Sequence, residues 1–189
     1  MRRGVKPAPR SVRCRFHPDP CAKQGRKAKA EKQERTMSAL YLLDPAAVGT
    51  SNALSRSEVI EALARQFAKV YALDPVVVLE ALEERERLGS TGFGRGVAIP
   101  HARIPGIRRP ICAVLRLSAP VSFDAADGLP VDLAFGLLSP EQSGAAHLHA
   151  LAAISRMLRD DRLRDRLSEA QNDETVYALL TSDSGRDAA

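Results

Sequence analysis

Cysteine is scarce in this sequence, three residues in 189, and two of them, Cys14 and Cys21, fall within the first 36 positions. Three cysteines build no disulfide framework, and a reducing, cytoplasmic setting fits. Cys14, His17 and Cys21 match no familiar zinc spacing and lack a fourth ligand. The sequence offers no carboxylate cluster for a metal either, so neither metal nor cofactor is expected. No stretch approaches the roughly 18 apolar residues of a membrane span. The amino-terminal stretch also lacks the apolar run of a secretory signal. There is no Walker lysine motif and no internal repeat.

What is present is an uneven distribution of charge. The formal net charge is +5. Residues 1–36 hold twelve Lys or Arg against three Asp or Glu, a net of +9, whereas residues 37–189 sum to −4. The basic character therefore belongs to an extension, and the body carries no evident nucleic-acid face. Residues 1–36 have too little apolar surface to fold alone, so their composition predicts disorder. Met37 then opens "MSALYLLDPAAV", where globular composition begins and where translation is expected to start. The functional alternative is a polybasic arm touching nucleic acid or anionic lipid. A single folded domain over residues 37–182 is expected, followed by a frayed tail, residues 183–189.

Within the body, Ser55-Arg56-Ser57-Glu58 reads as a capping box before an apolar helical stripe of Val59, Ile60, Leu63, Phe67 and Val70. Asp74-Pro75 opens a second helix through "VVVLEALEERERL", stopping at Gly89. Strands are predicted at Val97–Ile99, Ile111–Leu117 and Val131–Leu138, with a shorter one at Val121–Phe123. "VDLAFGLL" is nearly continuous in apolar residues, as in a strand covered on both faces. Helices follow from about Ala145 to Arg159, near Arg162–Ala170 and, capped by Asn172, over Asp173–Thr181. The pattern predicts an α/β fold: a mixed β-sheet of about five strands sandwiched between helices on both faces.

Three side chains are candidates for chemistry. The loop "GSTGFGRG", residues 89–96, is no dinucleotide fingerprint, because a strand rather than a helix follows it. Its glycines leave backbone amides able to approach an anion. His101 follows Pro100, whose missing amide hydrogen stops strand pairing there, and Pro105 bounds the turn beyond. An imidazole so constrained, with one ring nitrogen fixed to an acceptor, presents the other as a nucleophile. In "HLHALAAISRML", His147 shares the core-facing stripe with Leu151, Ile154 and Leu158, while His149 lies on a more polar face. A histidine like His147 is ordinarily a satisfied core residue, but its place in the first helical turn suits an anion. Arg85 aligns with Val78 and Leu82 on the apolar side of its helix, so it is directed at something buried or bound. Arg87 has the ordinary solvated position.

"RERLGSTGFGRGVAIPHAR", "SFDAADGLPVDLAFGLLSPE" and "HLHALAAISRMLRD" together resemble the phosphotransferase-system enzyme IIA domain of the fructose–mannitol and nitrogen-regulatory class, from about Leu40 to Leu180. The resemblance implies a phosphotransferase that forms a phosphohistidine at His101, with His147 supporting and Arg85 near the phosphoryl group. On that scheme His101 attacks through Nε2 while Nδ1 is hydrogen-bonded, and loop amides add donors. It also implies a histidine-containing phosphocarrier as donor. The acceptors are regulated target proteins in the nitrogen branch or, alternatively, a IIB component in a sugar branch. The sequence carries no fused IIB, IIC or carrier domain, which favours the regulatory branch. A binding module that keeps the fold without phosphorylation is the reading from another class. Ala102 departs from the glycine that many relatives carry after the histidine, and the basic extension has no family counterpart.

Overall fold

The computed structural model describes residues 40–182. The expected extension, residues 1–36, and the expected frayed tail, residues 183–189, lie outside the described residues.

Local signals start the helices. The Ser55 hydroxyl accepts the Glu58 amide at 3.3 Å, and the Glu58 carboxylate accepts the Leu54 amide at 2.8 Å, one residue before the usual capping-box donor. This opens α1, Arg56–Tyr71, which buries Val59, Ile60, Leu63, Ala64 and Phe67. Asp74 accepts the Val76 amide at 2.9 Å and starts α2, Pro75–Arg87. Only Val78 of the valine run is buried; Val76 and Val77 are exposed, which is helical rather than strand behaviour. After the sheet come α3 (Gly144–Met157), α4 (Asp161–Glu169) and α5 (Asp173–Ser182). Asp160 caps α4, and the Asn172 side chain accepts the Thr175 amide at 2.8 Å.

Among the described residues six strands form the expected mixed sheet: β1 (Leu42–Ser51), β2 (Gly92–Gly94), β3 (Val97–Ala98), β4 (His101–Ile104), β5 (Ile111–Val121) and β6 (Val131–Pro140). Their order is β1-β5-β6-β3-β2, with β4 continuing beside β6 beyond β3. β5 runs antiparallel to β6, whereas β3 and β4 run parallel to it. β1, parallel to β5, was not anticipated. Asp44-Pro45 interrupts its alternation, and the register shifts between Leu43 and Val48 where the strand accommodates the proline. The segment predicted as a separate strand at Val121–Phe123 begins on the last residue of β5, and the glycine loop contributes β2.

Alternation along β6 separates the two helical layers. A Cβ on Gly136 would meet Phe67 at 2.8 Å and Leu63 at 3.0 Å, so the glycine lets α1 lie close against the strand. Phe135 and Ser139 face the other way: Phe135 meets the Tyr41 ring edge-on at 6.2 Å, and Ser139 meets His147 of α3. Nearly all of β6 is buried, as expected for a strand covered on both sides.

Candidate active site

His101 is the first residue of β4, pairing in parallel with Leu137, rather than a residue beyond a strand end. Pro100 explains the break: without an amide hydrogen it separates β3 from β4, while its carbonyl still accepts the Leu137 amide at 2.9 Å. Parallel partners share a face, so His101 lies on the Leu137 and Ser139 side of β6, where α3 begins. Its ring centroid is 5.5 Å from that of His147. Arg85 arrives from the last turn of α2. The three residues singled out in the sequence therefore meet at one place.

Both ring nitrogens of His101 are engaged. Nδ1 lies 2.8 Å from the Ile99 carbonyl, which can only accept, so Nδ1 carries the hydrogen and donates it. Nε2 is then the unprotonated nitrogen, and it accepts from Arg85 Nε at 3.0 Å. Arg85 is held in turn by Nη1 donating to the Gly89 carbonyl at 2.9 Å. Burial lowers the His101 pKa below its ordinary value and the Arg85 charge lowers it further, against opposing contributions from the Ile99 carbonyl and Glu86. The lowered pKa favours the neutral ring, with the lone pair at Nε2 turned to the Arg85 hydrogen bond.

His147 is buried, and its Nδ1 lies 2.9 Å from the hydroxyl of the fully buried Ser139. Burial first, then electrostatic coupling to His101, Arg103 and Arg85, pushes its pKa down to about 4. His149 is exposed on the opposite side of α3. Ser139 was missed, although it is the one polar residue ending the apolar run of β6. Three amides of the glycine loop are engaged away from His101. Thr91 donates its amide to Glu86, Gly92 to the Ser90 hydroxyl at 3.0 Å, and Arg95 to Asp127 at 2.6 Å. Among the described residues no cluster of metal-ligating side chains occurs, and no helix is long and apolar enough to cross a membrane.

The depressed His147 pKa has a consequence for stability. An unfolded chain takes up this proton near pH 6.5, the folded one only near 4. Unfolding is therefore favoured as pH falls through that window, while above pH 6.5 this group contributes no pH dependence. Urea midpoints measured from pH 7 to 4 are expected to fall for the wild type and to fall less steeply for His147→Gln. Equal slopes would show that His147 is not held neutral by the fold.

Comparison with known proteins gives this arrangement its context. The family described as "Phosphoenolpyruvate-dependent sugar phosphotransferase system, EIIA 2" matches residues 42–183. A nitrogen regulatory protein of Pseudomonas aeruginosa is 47% identical over 127 residues, covering 67% of this chain and 82% of the relative. A fructose-specific EIIA component of Haloferax volcanii is 39% identical over 107 residues, covering 57% and 70%. The crystal structure of nitrogen regulatory protein IIA-Ntr from Neisseria meningitidis superposes with a TM-score of 0.69 at 36% identity, covering 74% of this chain and 96% of that one. Such proteins form a class of phosphoryl carriers that transfer phosphate by way of a histidine. The chain belongs to the EIIA 2 family of the phosphoenolpyruvate-dependent sugar phosphotransferase system.

Proposed function

We propose that this chain is a phosphotransferase of the nitrogen-regulatory type that carries its phosphoryl group on Nε2 of His101. The observation that carries this reading is the opposed engagement of the ring: Ile99 holds the hydrogen on Nδ1, and Nε2 is left with its lone pair toward Arg85. In transfer, the Nε2 lone pair forms the new N–P bond as the donor's N–P bond breaks, and the donor imidazole leaves with that electron pair. The Arg85 guanidinium, already beside Nε2, moves its hydrogen bonds onto the phosphoryl oxygens. In the tautomer where the Ser139 hydroxyl donates to Nδ1 of His147, Nε2 of His147 carries a hydrogen that a phosphoryl oxygen can accept. The arriving negative charge also draws a proton to His147, reversing the depression of its pKa.

The donor on this reading is a histidine-containing phosphocarrier, and the phosphorylation state controls other proteins in a cytoplasmic setting. The greater identity and coverage of the nitrogen-regulatory relative favour that branch over a sugar component passing phosphate to a IIB partner. Incubation with phosphoenolpyruvate, enzyme I and each of two purified carriers, one nitrogen-type and one sugar-type, tests both points. Faster uptake of one phosphate from the nitrogen-type carrier is expected. Preferential uptake from the sugar-type carrier overturns the branch, and no uptake from either overturns the function.

A further inference from the structure

Arg85 has a neighbour that the phosphoryl-transfer scheme leaves unused. The Glu86 carboxylate is buried, its side chain only 7% exposed, and among the described residues its one ion pair is a distant contact to Arg56 at 3.8 Å. Burial of a carboxylate is costly unless hydrogen bonds compensate it. Here they come from one residue: Thr91 donates its hydroxyl to Oε2 at 2.6 Å and its amide to the same carboxylate at 3.1 and 3.2 Å. Thr91 is the single buried residue between Leu88 and Phe93, a stretch that includes Gly89 and Gly92. Arg85 Nη1 on the Gly89 carbonyl and the Ser90 hydroxyl on the Phe123 carbonyl also hold this segment, and the Glu86 bonds fix Thr91 within it.

The anchor continues to the histidine. The Thr91 carbonyl accepts the Ile99 amide at 2.9 Å, and the Ile99 carbonyl accepts Nδ1 of His101 at 2.8 Å. Adjacent residues at the end of α2 therefore grip both nitrogens of one imidazole. Arg85 holds Nε2 directly, and Glu86 holds Nδ1 through Thr91 and Ile99. We infer that Glu86 is a positioning residue for phosphoryl transfer, acting through this Thr91–Ile99 strap to set the tautomer and orientation of His101. The inference rests on the reading of His101 as the phosphoryl acceptor. In-line transfer needs the lone pair aimed to within a fraction of an ångström, and a misplacement of about 1 Å costs on the order of 100-fold in rate.

Glu86→Ala, Glu86→Gln and Thr91→Val separate position from charge. Two readouts apply: the rate of phosphoryl uptake from a phosphorylated histidine carrier, and the tautomer of His101 in the unphosphorylated protein, read from its imidazole nitrogen NMR shifts. The wild type is expected to be protonated at Nδ1. Glu86→Ala is expected to mix the tautomers and slow uptake by roughly 10- to 100-fold. Glu86→Gln keeps an oxygen for the Thr91 hydroxyl and recovers most of both signals, and Thr91→Val, which keeps the amide donor, falls between. A wild-type tautomer and rate in Glu86→Ala overturn the inference. So does an equally slow Glu86→Gln with an unchanged tautomer, which would assign the effect to the carboxylate charge. If Glu86→Ala does not fold, Thr91→Val decides: unchanged tautomer and rate overturn the strap. Failure of the underlying reading is distinct, because a wild type that takes no phosphate on His101 still reports its tautomer.

Discussion

His101→Ala is expected to take up no phosphate at all, whereas the wild type acquires one that is labile in acid and stable in base. Acid lability marks a phosphoramidate and separates it from a serine or threonine ester. Two histidines stand close enough to compete, their rings 5.5 Å apart. Two properties separate them as nucleophiles. His147 is 8% exposed, so a carrier's phosphohistidine has little access to it. Its pKa of about 4 also makes it the poorer base. His101 is only partly buried and turns its unprotonated nitrogen toward Arg85. The loss in His101→Ala should come without unfolding, because the Leu137 pairing of β4 uses backbone groups that alanine retains. Circular dichroism and the melting temperature check this. Phosphate uptake by a folded His101→Ala protein would remove His101 as the acceptor, and a phosphorylated His147 would then be sought by peptide mapping.

The parts that could be read from the sequence are those fixed within a few residues. Ser55, Asp74 and Asn172 cap helices through bonds spanning two or three positions, so the residue pattern contains the geometry. Helical periodicity likewise turned His147 inward and His149 outward, because the spacing that decides burial is local. β1 escaped because Pro45 breaks its pattern and its partner β5 lies some seventy residues on, a pairing that only the folded sheet reveals. The same holds within the site. Arg85 stood out by its helical face, but no local pattern singled out Glu86 or Thr91. Their bond exists because the chain turns back after α2, and Ser139 gains its partner only when α3 packs on β6.

Arg85→Ala and His147→Ala should each slow phosphoryl uptake by about 10²–10³, the usual cost of removing one preorganised donor from a site where negative charge develops. Arg85→Lys should recover only part of the rate, since an ammonium lacks the planar fork that meets two phosphoryl oxygens together. His149→Ala is the control and should stay close to wild type, because that ring points to solvent from the opposite side of α3. A second readout tells a charge effect from a packing effect. Arg85 lowers the pKa of both His101 and His147, so its removal should move both titrations upward in the unphosphorylated protein. More of the His101 ring is then protonated near neutral pH, and the lone pair needed for attack is blocked in that fraction. The rate defect of Arg85→Ala should accordingly narrow as pH rises and His101 is returned to its neutral form. Rapid-quench measurements of uptake across pH 6 to 9, beside NMR titration of the imidazoles, would give both quantities on the same samples. Unchanged rates in Arg85→Ala and His147→Ala would make the two residues structural. A large defect in His149→Ala would place the phosphoryl group on the wrong side of α3.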